Sequence, residues 1–253
     1  MNPKIHVLIL NWNGSKYLNA SIKSIKNNNY SNFKITVIDN NSNDDSLLKV
    51  ENKNINIISH PKNYKYAKGY NKAIFNLKND DSDYYLLLNN DTVSDQNLLE
   101  SFSKATKEYG DNCIMGAKIL YAKNKNRIWY AGGKFGLFNF FVSHHGIRKI
   151  DSPDYDKDCI TDYITGCCLL ISKNHFHQLK GFDENFNMYG EDVDLSIRAQ
   201  NIGLKCYYIS QAKLWHNVSA SYGGNYSLSK NISKITSLLK LMIKYPKKII
   251  LGL

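Results

Sequence analysis

Short apolar runs alternate with helix-length amphipathic segments through the first half of the 253-residue chain. Ile5 to Leu10, Phe33 to Ile38, Ile55 to Ser59 and Tyr84 to Leu88 read as strands, while Ser15 to Asn27, Ala67 to Leu77 and Asp95 to Tyr109 carry the helical period. Near-continuous apolar runs such as Tyr84-Tyr85-Leu86-Leu87-Leu88 suit strands covered on both sheet faces, so the pattern predicts βαβ units on a parallel sheet. The second half is less regular. Cys113 to Leu120 and Tyr163 to Ile171 read as further strands, and the Gly-, Phe- and His-rich stretch from Ala131 to Arg148 reads as a hairpin or a lid. No repeat or low-complexity linker divides the chain, which points to one globular domain.

Each early strand runs into polar residues: Asn11, then Asp39-Asn40-Asn41-Ser42, then His60 to Asn63, then Asn89-Asn90-Asp91. Ligands of open parallel sheets bind beyond the carboxyl ends of the strands, so these clusters converge on one crevice. Taken singly, each also suits a turn. Asp91 stands where a carboxylate would hold a cation against a diphosphate; magnesium and manganese take oxygen ligands and leave positions open for phosphate.

Downstream, Glu191, Asp192 and Asp194 follow Phe182, Phe186, Met188 and Tyr189, with His216 beyond. Apolar neighbours desolvate a carboxylate and raise its pKa, which suits a general base. The same acids open a periodic run ending at Gly203, where acids stabilise a helix N-terminus through its dipole. Both readings stand on these residues alone. Asp194 and Arg198, spaced i, i+4, read as a helix-surface or structural pair. His144-His145 lacks a partner at metal-ligand spacing.

Apolar content of 43% is enough for a buried core, and a formal charge of +11 suits nucleic acid, an anionic membrane surface or a phosphate-bearing substrate. Five cysteines without CxxC spacing fit neither a zinc site nor a disulfide framework, so a reducing cytoplasmic setting is expected. The run from Ile5 to Leu10 is too short for a signal-peptide core, and no run is long enough to span a bilayer.

An ordered set of motifs extends this reading: Val7-Leu8-Ile9-Leu10-Asn11-Trp12-Asn13-Gly14, Val37-Ile38-Asp39-Asn40-Asn41-Ser42, Leu88-Asn89-Asn90-Asp91, Thr165-Gly166, Gly181-Phe182-Asp183-Glu184, Met188 to Leu195 and Trp215-His216. In content and order they resemble the inverting glycosyltransferases of family 2, in particular the bacterial rhamnosyltransferase-like branch. The resemblance runs over residues 4 to 225.

It implies an α/β fold of the GT-A, Rossmann-like kind, with a mostly parallel central sheet flanked by helices. Residues 1–225 would form that domain: 1–112 the nucleotide-binding half, 113–225 the acceptor-binding and catalytic half, with 226–253 a basic amphipathic helical tail. The implied activity is inverting, metal-dependent transfer of a sugar from a nucleoside-diphosphate sugar (dTDP-rhamnose or a UDP-sugar) to a glycan or lipid-linked acceptor in cell-surface polysaccharide synthesis. Asp192 would be the catalytic base. Glu191, Gly166 and Tyr189 would contact the substrate, and Asn11, Asp39, Asn41, Asn63, Lys68, Asn89 and Asn90 the nucleotide. Asp91 and His216 would hold Mg2+ or Mn2+.

The segment Asn63 to Asn71 departs from the family pattern, placing Lys65 and Lys68 where glycines are usual; these lysines suit either a phosphate contact or a solvated surface. From Lys230 to Leu253 there are six lysines and no acid, with Ile232, Ile235, Leu239 and Met242 on one helical face. That tail suits an anionic membrane at the inner face of the plasma membrane, or packing on the domain or on a second subunit of a homo-oligomer. Two rival functions remain, a sugar nucleotidyltransferase and a non-enzymatic nucleic-acid-binding protein. The first lacks a Gly-rich, Arg-containing loop after the first strand, and the second lacks a clustered basic module, so no nucleic-acid partner is expected.

Overall fold

A computed structural model describes residues 2–48, 50, 55–139, 141–186, 188–218 and 228–252, the side chains of 228–230 excepted. Its elements run β1 (Ile5–Asn11), α1 (Leu18–Lys26), β2 (Phe33–Asp39), β3 (Asn56–Ser59), α2 (Lys65–Ile74), β4 (Tyr84–Asn89), β5 (Thr92–Ser94) and α3 (Leu98–Tyr109). There follow β6 (Cys113–Tyr121), β7 (Ile128–Tyr130), β8 (Gly133–Gly136), β9 (Phe141–His144), β10 (Cys159–Ile160), β11 (Cys168–Ser172), α4 (Lys173–Gln178), α5 (Glu191–Asn201), β12 (Lys205–His216) and α6 (Leu228–Lys244).

The main sheet has the order β10-β12-β6-β11-β4-β1-β2-β3. Strands β4, β1, β2 and β3 are parallel, as the alternation of strands and helices predicts. Beyond β4 the sheet becomes mixed, because β11 enters antiparallel to both β4 and β6, while β12 runs parallel to β6. Period-two alternation sorts the side chains of β1: Ile5, Val7 and Ile9 meet Leu18, Ile22 and Ile25 of α1 and Phe102 of α3, whereas Leu8 faces Tyr70 of α2 and Phe176 of α4. All of these are buried, and each such side chain contributes about 1.5–3 kcal/mol.

Two departures from the expected elements bear on the site. The strand expected over Tyr163 to Ile171 begins only at Cys168. Ile164 N–H donates instead to Ser196 Oγ of α5 at 3.1 Å, and the chain turns through Thr165 and Gly166 before the Cys167 carbonyl accepts from Asn89 N–H of β4. The 12-residue β12 has no counterpart in the expectations, since Lys205, Ser210, Gln211 and Lys213 break up its apolar run. Its alternation of buried Cys206, Tyr208, Ala212, Leu214 and His216 is nonetheless the period of a half-covered strand. The 131–148 stretch contains the hairpin β8–β9, paired as a small separate sheet. α6 packs on the domain through Leu241; the junction at 225/226 lies outside the described residues.

Candidate active site

The carboxyl ends of β1, β2 and β4 lie side by side, with Asn11 paired to Asp39 across β1–β2 and Leu10 opposite Asn89 across β1–β4. Asn11 is completely buried at this junction. Its Nδ2 donates to Asp39 Oδ1 at 3.1 Å and to Ser46 Oγ at 2.9 Å, and its Oδ1 accepts from Asn90 Nδ2 at 2.7 Å. Asn11 therefore knits the strand ends together. Asp39 is buried as well, accepting from Ser42 Oγ at 2.6 Å and Ser42 N–H at 3.1 Å.

A cavity of about 100 Å³ opens beside this junction, lined by Trp12, Asn40, Asn63, Lys65, Asn89 and Asn90 among others. Two of the residues expected at the nucleotide stand apart from this cavity. Asn41, at φ 62°, occupies an exposed left-handed turn position and lines neither this cavity nor the larger cleft. Its neighbour Asn40 does line it, donating to Asn63 Oδ1 and to the Lys65 carbonyl at 3.0 Å each. Lys68 is drawn away by an ion pair with Glu184 at 2.8 Å, and Lys65 takes the cavity side, its Nζ 6.0 Å from the Trp12 ring centre.

A cleft of about 1130 Å³ adjoins the small cavity; Tyr66, Asn89 and Met188 line both. Asp91 and His216 stand on one wall. β5 pairs antiparallel with the end of β12 so that Thr92 opposes His216, which brings His216 Nε2 to 3.1 Å from Asp91 Oδ1. Among the described residues, neither Asp91 Oδ1 nor His216 Nδ1 has a hydrogen-bond partner, although both are buried. A buried carboxylate oxygen that approaches an imidazole without making a hydrogen bond, and an imidazole nitrogen without one, are costly in a bare protein and fit a divalent cation. No group of three or more His, Cys, Asp or Glu side chains that could hold a metal occurs among the described residues, so a bound phosphate or solvent would have to complete the coordination.

Glu191 and Asp192 stand on the same cleft, at the first turn of α5. Tyr189 at φ 70° and Gly190 at φ 86° turn the chain sharply into the helix. The left-handed Tyr189 costs on the order of 1 kcal/mol, strain of the kind that collects at functional sites. Burial raises both carboxyls, that of Glu191 further because Asp192 lies beside it as a like charge. Asp192 is held back by its donors: Gly166 N–H at 2.9 Å from Oδ2, Val193 N–H at 2.8 Å from Oδ1, and the Thr165 hydroxyl. Glu191 Oε2 is buried without a hydrogen-bond partner among the described residues. Burial therefore favours the neutral form of Glu191 more than that of Asp192, whose donors favour its anion. Gly166 is fixed in turn by Tyr66 Oη, which donates to its carbonyl at 2.5 Å; a Cβ at this position would lie 2.6 Å from that oxygen.

Asp194 lies deeper than a helix-surface pair would. It is fully buried, bound by Arg198 Nε at 2.7 Å, Lys244 Nζ at 2.6 Å and Tyr245 Oη at 2.7 Å, and so ties α5 to the end of α6 and the residue that follows it. Tyr66, Trp129, Tyr163 and His144 also line the cleft without having been singled out for it in the sequence. The Trp129 ring stands edge-on to both His144 and His216, with centres 4.4 and 4.6 Å away. His144 Nδ1 lies 3.1 Å from the Trp129 carbonyl, and burial pushes this imidazole down to about 4, so it is neutral. With Nδ1–H donating to that carbonyl, Nε2 remains an acceptor.

Residues 6–179 match the family model described as glycosyl transferase family 2, and residues 145–231 that described as N-terminal domain of galactosyltransferase. The chain is 25% identical over 217 residues to rhamnosyltransferase WbbL of Escherichia coli, covering 81% of this chain and 80% of that protein. It is 39% identical over 61 residues to N-acetylglucosaminyl-diphospho-decaprenol L-rhamnosyltransferase of Mycobacterium tuberculosis, covering 24% of this chain and 20% of that one. Among solved structures, GalNAc-T7 with UDP, GalNAc and Mn2+ superposes with a TM-score of 0.72 at 15% identity, covering 98% of this chain and 50% of that one. S. aureus TarS 1-349 superposes with a TM-score of 0.64 at 12% identity, covering 97% of this chain and 73% of that one. At these identities the structural likeness establishes the GT-A fold.

Proposed function

The chain belongs to glycosyl transferase family 2, and from that premise we propose that it moves a sugar from a nucleoside-diphosphate sugar to a hydroxyl of a glycan or lipid-linked acceptor in cell-surface polysaccharide synthesis, with inversion at the anomeric carbon. One observation carries the reading: the Asp91–His216 pair and the Glu191–Asp192 pair line a single cleft that adjoins the strand-end cavity. dTDP-rhamnose is the favoured donor and a UDP-sugar the alternative. The rhamnosyltransferase relatives support the first, and a structural neighbour solved with UDP supports the second. A lipid diphosphate acceptor draws support from the decaprenol-linked substrate named for the mycobacterial relative.

In this mechanism Asn40, Asn63, Lys65 and Asn89 bind the nucleotide, while Asn11, Asn90 and Asp39 hold the strand ends that position them. Asp91 and His216 would hold the divalent cation, which when bound neutralises charge on the departing diphosphate. Asp192 takes the proton of the acceptor hydroxyl as that oxygen attacks the anomeric carbon from the face opposite the diphosphate. Its raised pKa makes it a stronger base than an ordinary aspartate near 3.9, while the Gly166 and Val193 N–H groups keep it ionised. Protonated Glu191 has an O–H to offer the acceptor. Tyr66 and Gly166 set the floor against which the sugar lies.

The test is thermal stabilisation by UDP or dTDP with and without manganese, followed by acceptor-free hydrolysis across a panel of nucleotide sugars. Metal-dependent stabilisation by one nucleotide, with hydrolysis of its sugars, is the expected result. Stabilisation by an oligonucleotide alone would sink the proposal.

A further inference from the structure

α6 has apolar residues on two opposite sides. One side rests on the domain: Leu241 is buried, Leu238 and Met242 pack on the core, and Ser237 Oγ donates to the Met188 carbonyl at 3.1 Å. Lys244 pins the helix end by ion pairs to Asp194 at 2.6 Å and Asp183 at 2.8 Å. The other side presents Ile232, Ile235, Leu239 and Ile243 at 55, 60, 54 and 82% exposure. Spacings of three and four residues put these side chains in one stripe along the helix.

A second apolar element stands beside the end of that helix. Gly136 packs against Gly252, with a Cβ built on Gly136 only 3.6 Å from Gly252 Cα, so the tip of the β8–β9 hairpin adjoins the C-terminal turn. At the tip Phe138 is 99% and Leu137 58% exposed, and on the turn Leu251 is 63% exposed. Residues 228–252 carry lysines and no Asp or Glu. Lys240 and Lys248 donate to the neutral oxygens of Asn185 and Gln200, and neither pairs with a carboxylate among the described residues. The inner side of the same helix lines the cleft through Lys234, Ser237 and Leu241, and β9 lines it through Val142 and Ser143.

We propose that the exposed stripe of α6 and the Leu137–Phe138 tip form one docking face for an anionic lipid bilayer, and that this face holds the cleft mouth at the headgroup level. The chemistry matches on both counts: aliphatic and aromatic side chains enter the headgroup–acyl boundary, and flanking lysines are drawn to anionic headgroups. Two copies of the chain meeting through this stripe would instead bring their lysines together. The helix lies on the membrane rather than in it, since no described helix is long and apolar enough to cross one. The inference rests on the transferase reading only for what enters the cleft from the bilayer, a lipid-linked acceptor.

Co-sedimentation of the full chain with mixed phosphatidylglycerol–phosphatidylcholine vesicles, against phosphatidylcholine alone and without donor or acceptor, tests the face. The chain should pellet with the anionic vesicles and be released by salt. The triple variant Ile235→Ser, Leu239→Ser, Ile243→Ser should lose about tenfold or more in vesicle affinity, and Phe138→Ser severalfold, with melting curve and acceptor-free donor hydrolysis unchanged. Absence of wild-type binding, or equal binding by the triple variant, overturns the proposal. So does a wild-type dimer that the triple variant disperses, which would assign the face to a second copy. Vesicle binding by a chain that hydrolyses no nucleotide sugar would refute the transferase reading and leave the docking face standing.

Discussion

His216 Nε2 lies 3.1 Å from Asp91 Oδ1, although the two are 125 positions apart in sequence, because the register of β5 on β12 sets Thr92 opposite His216. Two buried polar atoms of this pair are without hydrogen bonds among the described residues. Asp91→Asn should therefore abolish the manganese-dependent part of nucleoside-diphosphate stabilisation, and His216→Gln should reduce it by about tenfold in metal affinity. Thermal shift across a manganese titration reads both, and chelation of the wild type should reproduce the Asp91→Asn result. A manganese response unchanged in Asp91→Asn would remove the pair from the metal site.

Asp192 accepts from two backbone N–H groups and faces the cleft. Asp192→Asn keeps much of this hydrogen bonding but cannot take a proton. Transfer should fall by about 10²- to 10⁴-fold while nucleotide affinity holds. Single-turnover rates and nucleotide titrations separate the two, and normal turnover would disprove the base role.

The Glu191 carboxyl is raised by burial and by the neighbouring Asp192. A carboxyl raised in the folded state favours folding below its unfolded pKa, about 4.3, and that stability is lost as pH rises through the folded value. Glu191→Gln removes the loss. Its melting temperature should equal that of wild type in acid and exceed it increasingly from mildly acidic to neutral pH. Melting curves across that range check the sign, and a deficit at neutral pH would contradict it.

Lys68 pairs with Glu184 at the surface, while Lys65 lines the nucleotide-side cavity. Lys68→Ala should leave donor KM within roughly twofold, because exposed ion pairs contribute little. Lys65→Ala should raise it about tenfold through loss of a charge-assisted contact. Donor saturation curves of the two variants decide the matter.

Asp194 is buried under Arg198, Lys244 and Tyr245. Asp194→Ala takes the buried carboxylate from Arg198 and leaves Lys244 only Asp183, and should cost about 3 kcal/mol, the partial exposure of both cations keeping it at the lower end for a broken buried pair. α6 should loosen first. Denaturant unfolding measures the loss, and hydrogen exchange along α6 locates it.

The parallel half of the sheet was legible because buried strands there are unbroken apolar runs and each helix has one apolar face. The turn at Thr165–Cys167 was not, since a strand that peels off to reach Ser196 keeps its apolar residues and so its apparent pattern. β12 was missed for the converse reason: half-covered strands mix lysine and glutamine into their outward positions. Among the candidate site residues, identity could mark Asn11, Asn41 and Lys68 as polar groups near strand ends. It could not tell that Asn11 is consumed by Asp39, Ser46 and Asn90, or that Lys68 turns to Glu184.

The sequence by itself determined the chemistry present and its order along the chain: polar strand ends, Asp91, the Glu191–Asp192 pair, His216 and a lysine-rich tail. These follow from residue type and local period, which depend only on near neighbours. Tertiary structure alone decided which of them meet. It joined Asp91 to His216, raised the Glu191 carboxyl further than that of Asp192, buried Asp194 against the end of α6 and left an apolar stripe of α6 facing outward. Strand register, burial and competition for hydrogen-bond partners act between residues distant in sequence, and those contacts exist only once the sheet and its helices have packed.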